Sequence, residues 1–259
     1  MELLRFVEHH VPKQAKDLVF IEGLPGVGNV GKLATEHLVD VLGAKLWADV
    51  FGHDFPPQVT IEEDGTVRLV RCQLWFAKGG AGKRDLAFLT GDFQPLSSHG
   101  QYELVTQVLA RLAALGCKEL YTLGGYGLGV AVEEPGVLGA ATDDKMMARL
   151  EKLGIAKPEE EPGGGIIGAS GLFLGLGQMD GLHGACLMGE TSGYLVDPRS
   201  ARAVLGKLGE LLGTTFETED LEAKADDIDH VARQLQEGPG PGGAAGRGSG
   251  PEGDMHYIG

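Results

Sequence analysis

Short apolar runs closed by glycine set the rhythm of this chain: LVFIEGLPG (18–26), DLAFLTGD (85–92), ELYTLGGYG (119–127) and GACLMGETSG (184–193). Near-continuous Val, Ile, Leu and aromatic residues over so few positions describe strands covered on both faces, the pattern of a largely parallel sheet. Their glycine-rich ends are expected to gather along one edge. Between the runs the apolar positions recur at helical spacing. Val30, Leu33, Ala34, Leu38, Val41 and Leu42 form one stripe of a helix that Asn29 is placed to cap and Gly43 to stop. SSHGQYELVTQVLARLAALG repeats the design, with Leu104, Val105, Val108, Leu109, Leu112 and Leu115 inward and Gly116 at its end. DPRSARAVLGKLGELLG is a third helix, with Pro198 in its opening turn. In VTIEEDGTVRLVRCQLWFA the period drops to two around Asp64-Gly65, which predicts a hairpin. The whole is α/β, with a mixed sheet that holds at least one antiparallel ribbon.

The pattern changes after Thr214. TEDLEAKADDIDHVARQLQE puts Leu221, Ala225, Ile228, Val231 and Leu235 on a narrow stripe of a strongly acidic helix, about 218–237, suited to a surface or subunit contact. GPGPGGAAGRGSGPEGD (238–254) holds nothing that builds a core and reads as a flexible linker. It ends in MHYIG (255–259), an apolar and aromatic terminus. The division is therefore one domain over 1–237, a linker and a tail.

At 259 residues with 42% apolar positions the chain buries a core without staples. A net charge of −15 gives nucleic acid and anionic membranes a repulsive surface, so neither is an expected partner. MELLRFVEHHVPKQAKDL carries acids and no long apolar stretch, so a soluble, cytoplasmic protein is expected. Cys72, Cys117 and Cys186 are widely spaced in apolar segments and read as reduced core thiols.

The one phosphate-like signal is IEGLPGVGNVGKL (21–33). Gly26, Gly28 and Gly31 spell G-x-G-x-x-G behind an apolar run, and Asp49 lies near the spacing of a ribose-binding acid. The phosphate-loop version fails, because Leu33 follows Lys32 where a Mg²⁺-binding hydroxyl belongs. The other reading is packing: Gly26 and Gly28 permit a tight turn and Gly31 lets the helix lie against the sheet. On the residues alone both stand.

Other chemistry is sparse. GASGL places Leu172 where a nucleophile elbow needs glycine, and the eight histidines form no metal-spaced pair. His53 and Asp54 are neighbours in a loop stiffened by Pro56-Pro57, where a loop or interface role is expected. Glu190, Thr191 and Ser192 either grip a ribose or phosphate or furnish hydroxyls for a helix-opening turn. The glycine segments LGGYGLGV and PGGGIIGASG carry no basic residue and read as loops. No catalytic residue, metal or cofactor is expected. The alternative is a nucleoside- or nucleotide-binding enzyme with a pocket of Gly26, Gly28, Gly31, Gly91, Gly125, Glu190 and Ser192.

IEGLPGVGNVGKLATEHLVDVLGAK, FPPQV, LTGDFQP, YTLGGYG, GASGLFLGLG and LMGETSGYLVDPRSARAVLGKL, in that order, resemble the successive blocks of the PAC2 family, the archaeal relatives of eukaryotic proteasome assembly chaperones. The likeness runs from about Asp17 to Leu235. It implies a three-layer sandwich with a mixed, mostly parallel sheet, related to nucleoside phosphorylase and hydrolase folds. It further implies rings or smaller homo-oligomers bound to α-ring subunits of the 20S proteasome, hence a non-enzymatic assembly chaperone or adaptor. Under it the opening glycines become a packing device. Such family members dock through a C-terminal hydrophobic residue, a tyrosine and one last residue, inserted between neighbouring α subunits. This chain offers Met255, His256, Tyr257, Ile258 and Gly259, with the tyrosine one place early and His256 in the hydrophobic position. Burying Tyr257 and Ile258 contributes about 2 to 3 kcal/mol each, so one tail binds weakly once ordering is subtracted. A ring of copies multiplies the contact, and the 17-residue linker reaches roughly 20 to 25 Å, enough to span adjacent pockets.

Overall fold

The computed structural model describes residues 4–82, 84–158 and 164–226. In chain order the elements are β1 (Leu4–Glu8), β2 (Val19–Glu22), α1 (Val30–Val41), β3 (Lys45–Gly52), β4 (Val59–Ile61), β5 (Val67–Leu69), β6 (Cys72–Ala81) and β7 (Arg84–Gly91). Then follow α2 (Ser98–Ala114), β8 (Glu119–Gly127), β9 (Val137–Ala141), α3 (Asp144–Lys152), α4 (Ala169–Met179), β10 (His183–Thr191) and α5 (Pro198–Leu212). The four apolar runs are β2, β7, β8 and β10. They lie at the centre of an eight-stranded sheet ordered β1-β3-β6-β7-β2-β8-β10-β9. β7, β2, β8 and β10 are mutually parallel, while β6 and β9 enclose them antiparallel. The mixed sheet is thus parallel where it is buried on both faces and antiparallel toward its margins, as strand composition requires. β4 and β5 form the hairpin around Asp64-Gly65.

Alternate residues of each central strand feed two cores. Phe20, Leu89, Leu120 and Cys186 face α2 and α4. Val19, Ile21, Phe88, Leu123 and Leu187 face α1, α3 and α5. Three layers result. Phe20 stacks against Phe173 of α4 with ring centroids 5.0 Å apart, and α1 packs on α5 across the other face. Each of these wholly buried side chains contributes about 1.5 to 3 kcal/mol, so two cores of this size hold the layers together.

The helix ends confirm some capping expectations and correct others. Gly43 and Gly213 take left-handed conformations past α1 and α5, and Pro198 opens α5, whose first turn is capped by Asp197 accepting from Ser200 N at 3.0 Å. Asn29 does not cap α1 with its side chain. A single 3₁₀ turn over Val27–Asn29 precedes the helix, and Asn29 takes φ 50° to redirect the chain, a conformation asparagine tolerates. Past α5 the chain is helical again over 219–226, with Leu221 and Ala225 buried. His37 Nε2 donates to the carbonyl of Glu217 and Arg202 pairs with Glu222, which seats this stretch on α1 and α5. The rest of the acidic stripe, the linker and the tail, with the limits at 237 and 254, lie outside the described residues. Among the described residues no helix is long and apolar enough to cross a membrane.

Candidate functional site

Loops leaving a parallel sheet at its carboxyl edge surround a crevice, and here they enclose a cavity of about 660 Å³. Leu24, Gly26 and Val27 after β2 form one wall, the β8 segment 123–127 another, and Ile166 and Ser170 at the start of α4 a third. Among the described residues no Lys, Arg, His, Asp or Glu lines it. Its lining is glycine backbone and apolar side chains with the uncharged polar groups of Gln94, Tyr126 and Ser170, and among the described residues nothing there neutralises a phosphate.

Behind this wall sits a carboxyl that the sequence reading passed over. Glu22 closes β2 and is wholly buried. Its Oε1 accepts from the amide of Leu24 at 2.9 Å and its Oε2 from Ser170 Oγ at 2.8 Å. Burial pushes its pKa up to about 7, against the opposing pull of those two hydrogen bonds. Ser170 belongs to the first turn of α4, which is capped from outside: Gln94 Oε1 accepts from Ala169 N at 3.1 Å while its Nε2 donates to the carbonyl of Pro25 at 2.8 Å. Gly168, at φ 90°, has no room for a side chain, since a Cβ there would stand 2.7 Å from Gln94 Oε1. The loops after β2 and β7 are thus tied to the start of α4. Among the described residues no histidine lines the cavity beside the Glu22–Ser170 pair.

The glycine motif resolves residue by residue. A Cβ on Gly31 would fall 1.9 Å from the carbonyl oxygen of Leu123, so α1 lies directly on β8 because this residue is glycine. Gly28 has φ 61°, and a Cβ there would stand 2.9 Å from Thr191 Oγ1. The bare face that a dinucleotide fold offers to pyrophosphate is here filled by the threonine. Gly26 has an extended φ of −162° and open space around its missing side chain, so it is free of the strain expected for it. Asp49 is not beside this turn: β6 and β7 separate β3 from β2. It is held by His9 Nε2 at 2.8 Å, Gln73 Nε2 at 2.9 Å and Arg71 Nε at 3.2 Å. Lys32 donates to the carbonyl of Gly91 at 2.7 Å and pairs with Glu36.

Of the remaining sequence candidates, Gly125 lines the cavity along with Gly26 and Gly31, whereas Gly28, Gly91, Glu190 and Ser192 do not. Glu190 accepts from Gly136 N at 3.0 Å, and Thr191 and Ser192 hold the amides of Gly193 and Tyr194. They shape a turn, and the cap of α5 falls to Asp197 instead. Asp54 accepts from Ser97 N at 2.7 Å and fixes the start of α2, a structural loop role. The segment 162–171 is not loop throughout, since α4 begins at Ala169. All three cysteines are free and buried. Among the described residues no cluster of three or more His, Cys, Asp or Glu is arranged to hold a metal ion. Met255 to Gly259 lie outside the described residues.

Comparison with known proteins gives this architecture a family. The PAC2 family profile matches residues 20–236. The chain belongs to the PAC2 family. It is 35% identical to an uncharacterised protein of Methanocaldococcus jannaschii over 90% of this chain and 91% of that one. The PAC2 architecture superposes on the crystal structure of Pyrococcus furiosus PbaB, described as an archaeal proteasome activator, with a TM-score of 0.82 and 34% identity, covering 91% of this chain and 100% of that one. Pyrococcus furiosus PbaA, an archaeal homologue of proteasome-assembly chaperone, gives a TM-score of 0.75 at 28% identity, covering 91% and 92%. The order of PAC2 sequence blocks located this family where the glycine fingerprint alone left two readings. Glu22 was missed because one acid at the end of an apolar run looks like a strand emerging into solvent. The available signal was its place inside VFIEGL, with apolar residues on both sides.

Proposed function

We propose that this chain is a non-catalytic proteasome-binding protein, an assembly chaperone or activator-type adaptor, which acts in the cytoplasm as a homo-oligomer and docks on the α ring of the 20S particle through its C-terminal tail. The observation that carries this reading is the likeness to PbaB, which extends over the whole of that chain at 34% identity. A cavity without charged side chains among the described residues, and a motif in which Gly28 and Gly31 lie against protein atoms, support it by weakening the enzymatic alternative. The tail is an apolar hook whose single-copy affinity is low, so docking draws its strength from several copies presented together.

The test is capture of purified 20S particles by the full chain and by a chain lacking residues 255–259. Capture by the full chain alone is the expected result. Equal capture by both removes the tail from the mechanism, and capture by neither removes the proteasome. The second reading, an enzyme acting on a nucleoside at the cavity, predicts a thermal shift of several degrees with sub-millimolar nucleoside.

A further inference from the structure

Four segments meet at the carboxyl edge of the sheet: 23–29 after β2, 124–130 at the end of β8, 164–168 before α4 and 192–196 after β10. None contains Asp, Glu, Lys, Arg or His, in a chain where 23% of residues are charged. The fold brings them together. Leu128 N donates to the carbonyl of Thr191 at 2.8 Å, and Asp197 N donates to that of Gly28 at 2.9 Å. Segments 23–29, 124–130 and 164–168 also share the cavity wall. Val27 and Ile167 line the cavity and Leu128, Val130, Tyr194 and Leu195 are exposed on the adjoining segments, with Ile167 93% and Tyr194 81% exposed. Six exposed apolar side chains on one edge of the sheet exceed the singly scattered hydrophobics normal on a monomer's surface, and such a gathering marks a contact site.

We propose that this charge-free face is where copies of the chain meet one another, a reading that rests on the homo-oligomer of the proposed function and locates its contact. The occupant follows from electrostatics. Two copies each carrying a net charge of −15 repel through every acidic surface, and contact is least opposed where neither side bears charge. A partner selected by charge complementarity needs charges to read, and the four described segments of this face have none. An uncharged apolar patch that includes an exposed tyrosine complements itself, as a symmetric interface demands. Salt, which screens the residual repulsion, strengthens such an association.

The experiment is sedimentation velocity of the full chain at low and high salt, with Ile167→Asp and Leu195→Asp as two independent lesions and Met179→Asp as control. All three side chains are more than half exposed, and far-UV circular dichroism verifies that each variant is folded. The expected result is a wild-type oligomer that tightens with salt, at least roughly tenfold weaker association in both lesions, and none of this loss in the control. An oligomer indifferent to both lesions, or one that loosens with salt, overturns this interface and leaves self-association standing. A wild-type chain that stays monomeric at both salts overturns the homo-oligomer itself.

Discussion

Ser170 Oγ donates a hydrogen bond to Glu22 Oε2 at 2.8 Å, joining the first turn of α4 to the end of β2 across 148 positions of sequence. The bond gives a buried carboxyl one of its two partners, the other being the amide of Leu24.

Because burial raises the Glu22 pKa from 4.5 to about 7, the folded chain holds a proton there that the unfolded chain has already released between those values. Linkage then requires stability to fall as pH rises through that window, and the cost is complete above about 7. Glu22→Gln is therefore expected to be more stable than wild type at pH 8, by about 2 to 3 kcal/mol, with the gain shrinking toward pH 5. Urea unfolding at the two pH values measures this. A gain of equal size at both would show that the carboxyl does not titrate in the window.

Glu119 has the opposite sign. Burial pushes its carboxyl up, but hydrogen bonds from Arg84 and Tyr121 and the charges of Arg84 and Arg149 outweigh this and hold it below the ordinary range. Arg84 Nη2 lies 2.5 Å and Arg149 Nη1 3.1 Å from its oxygens, tying β7, β8 and α3. This contribution is present above the unfolded pKa and is lost as pH falls through the folded one. Glu119→Gln should cost about 1 to 2 kcal/mol at pH 7 after solvent screening and much less near pH 3, as followed by thermal unfolding.

Two glycines of one motif should behave differently. Gly31→Ala drives a methyl group into the carbonyl of Leu123 and is expected to cost upward of about 3 kcal/mol or abolish folding. Gly26→Ala meets open space and should change stability by less than about 0.5 kcal/mol. Denaturant midpoints for the pair decide whether the motif serves packing, since a nucleotide site makes no such distinction in the empty protein.

Burial pushes the thiol of Cys186 up to about 12 and that of Cys117 to about 11, and it raises Cys72 further still. The native chain should thus resist a disulfide reagent at pH 8, and three thiols should react once it is unfolded. Rapid reaction of any one in the native state would contradict its placement in the core.

The central strands and the helices α1, α2 and α5 were legible because burial on two faces writes an unbroken apolar run and burial on one face writes a stripe. α4 was not. Gly168, Gly171, Gly175 and Gly177 give its segment poor helix propensity, yet Gly177 is where Leu120 packs closely and Gly171 where the Ile166 carbonyl approaches. Tertiary contact overrides local preference there. The cavity was half legible: its glycine edge was foreseen, but Ser170 and Gln94 are joined to it by bonds between distant segments that no local pattern announces. Asp49 misled because spacing along the chain matched a ribose acid while strand order put both β6 and β7 between it and the turn.

The seating of Gly31 on the Leu123 carbonyl has a mechanical meaning. A helix whose backbone rests on a neighbouring strand, with no compressible side chain between, neither slides nor tilts without lifting off the sheet. Load at the loop crown therefore passes into the central strands as into a rigid strut. The body is built to hold its distance.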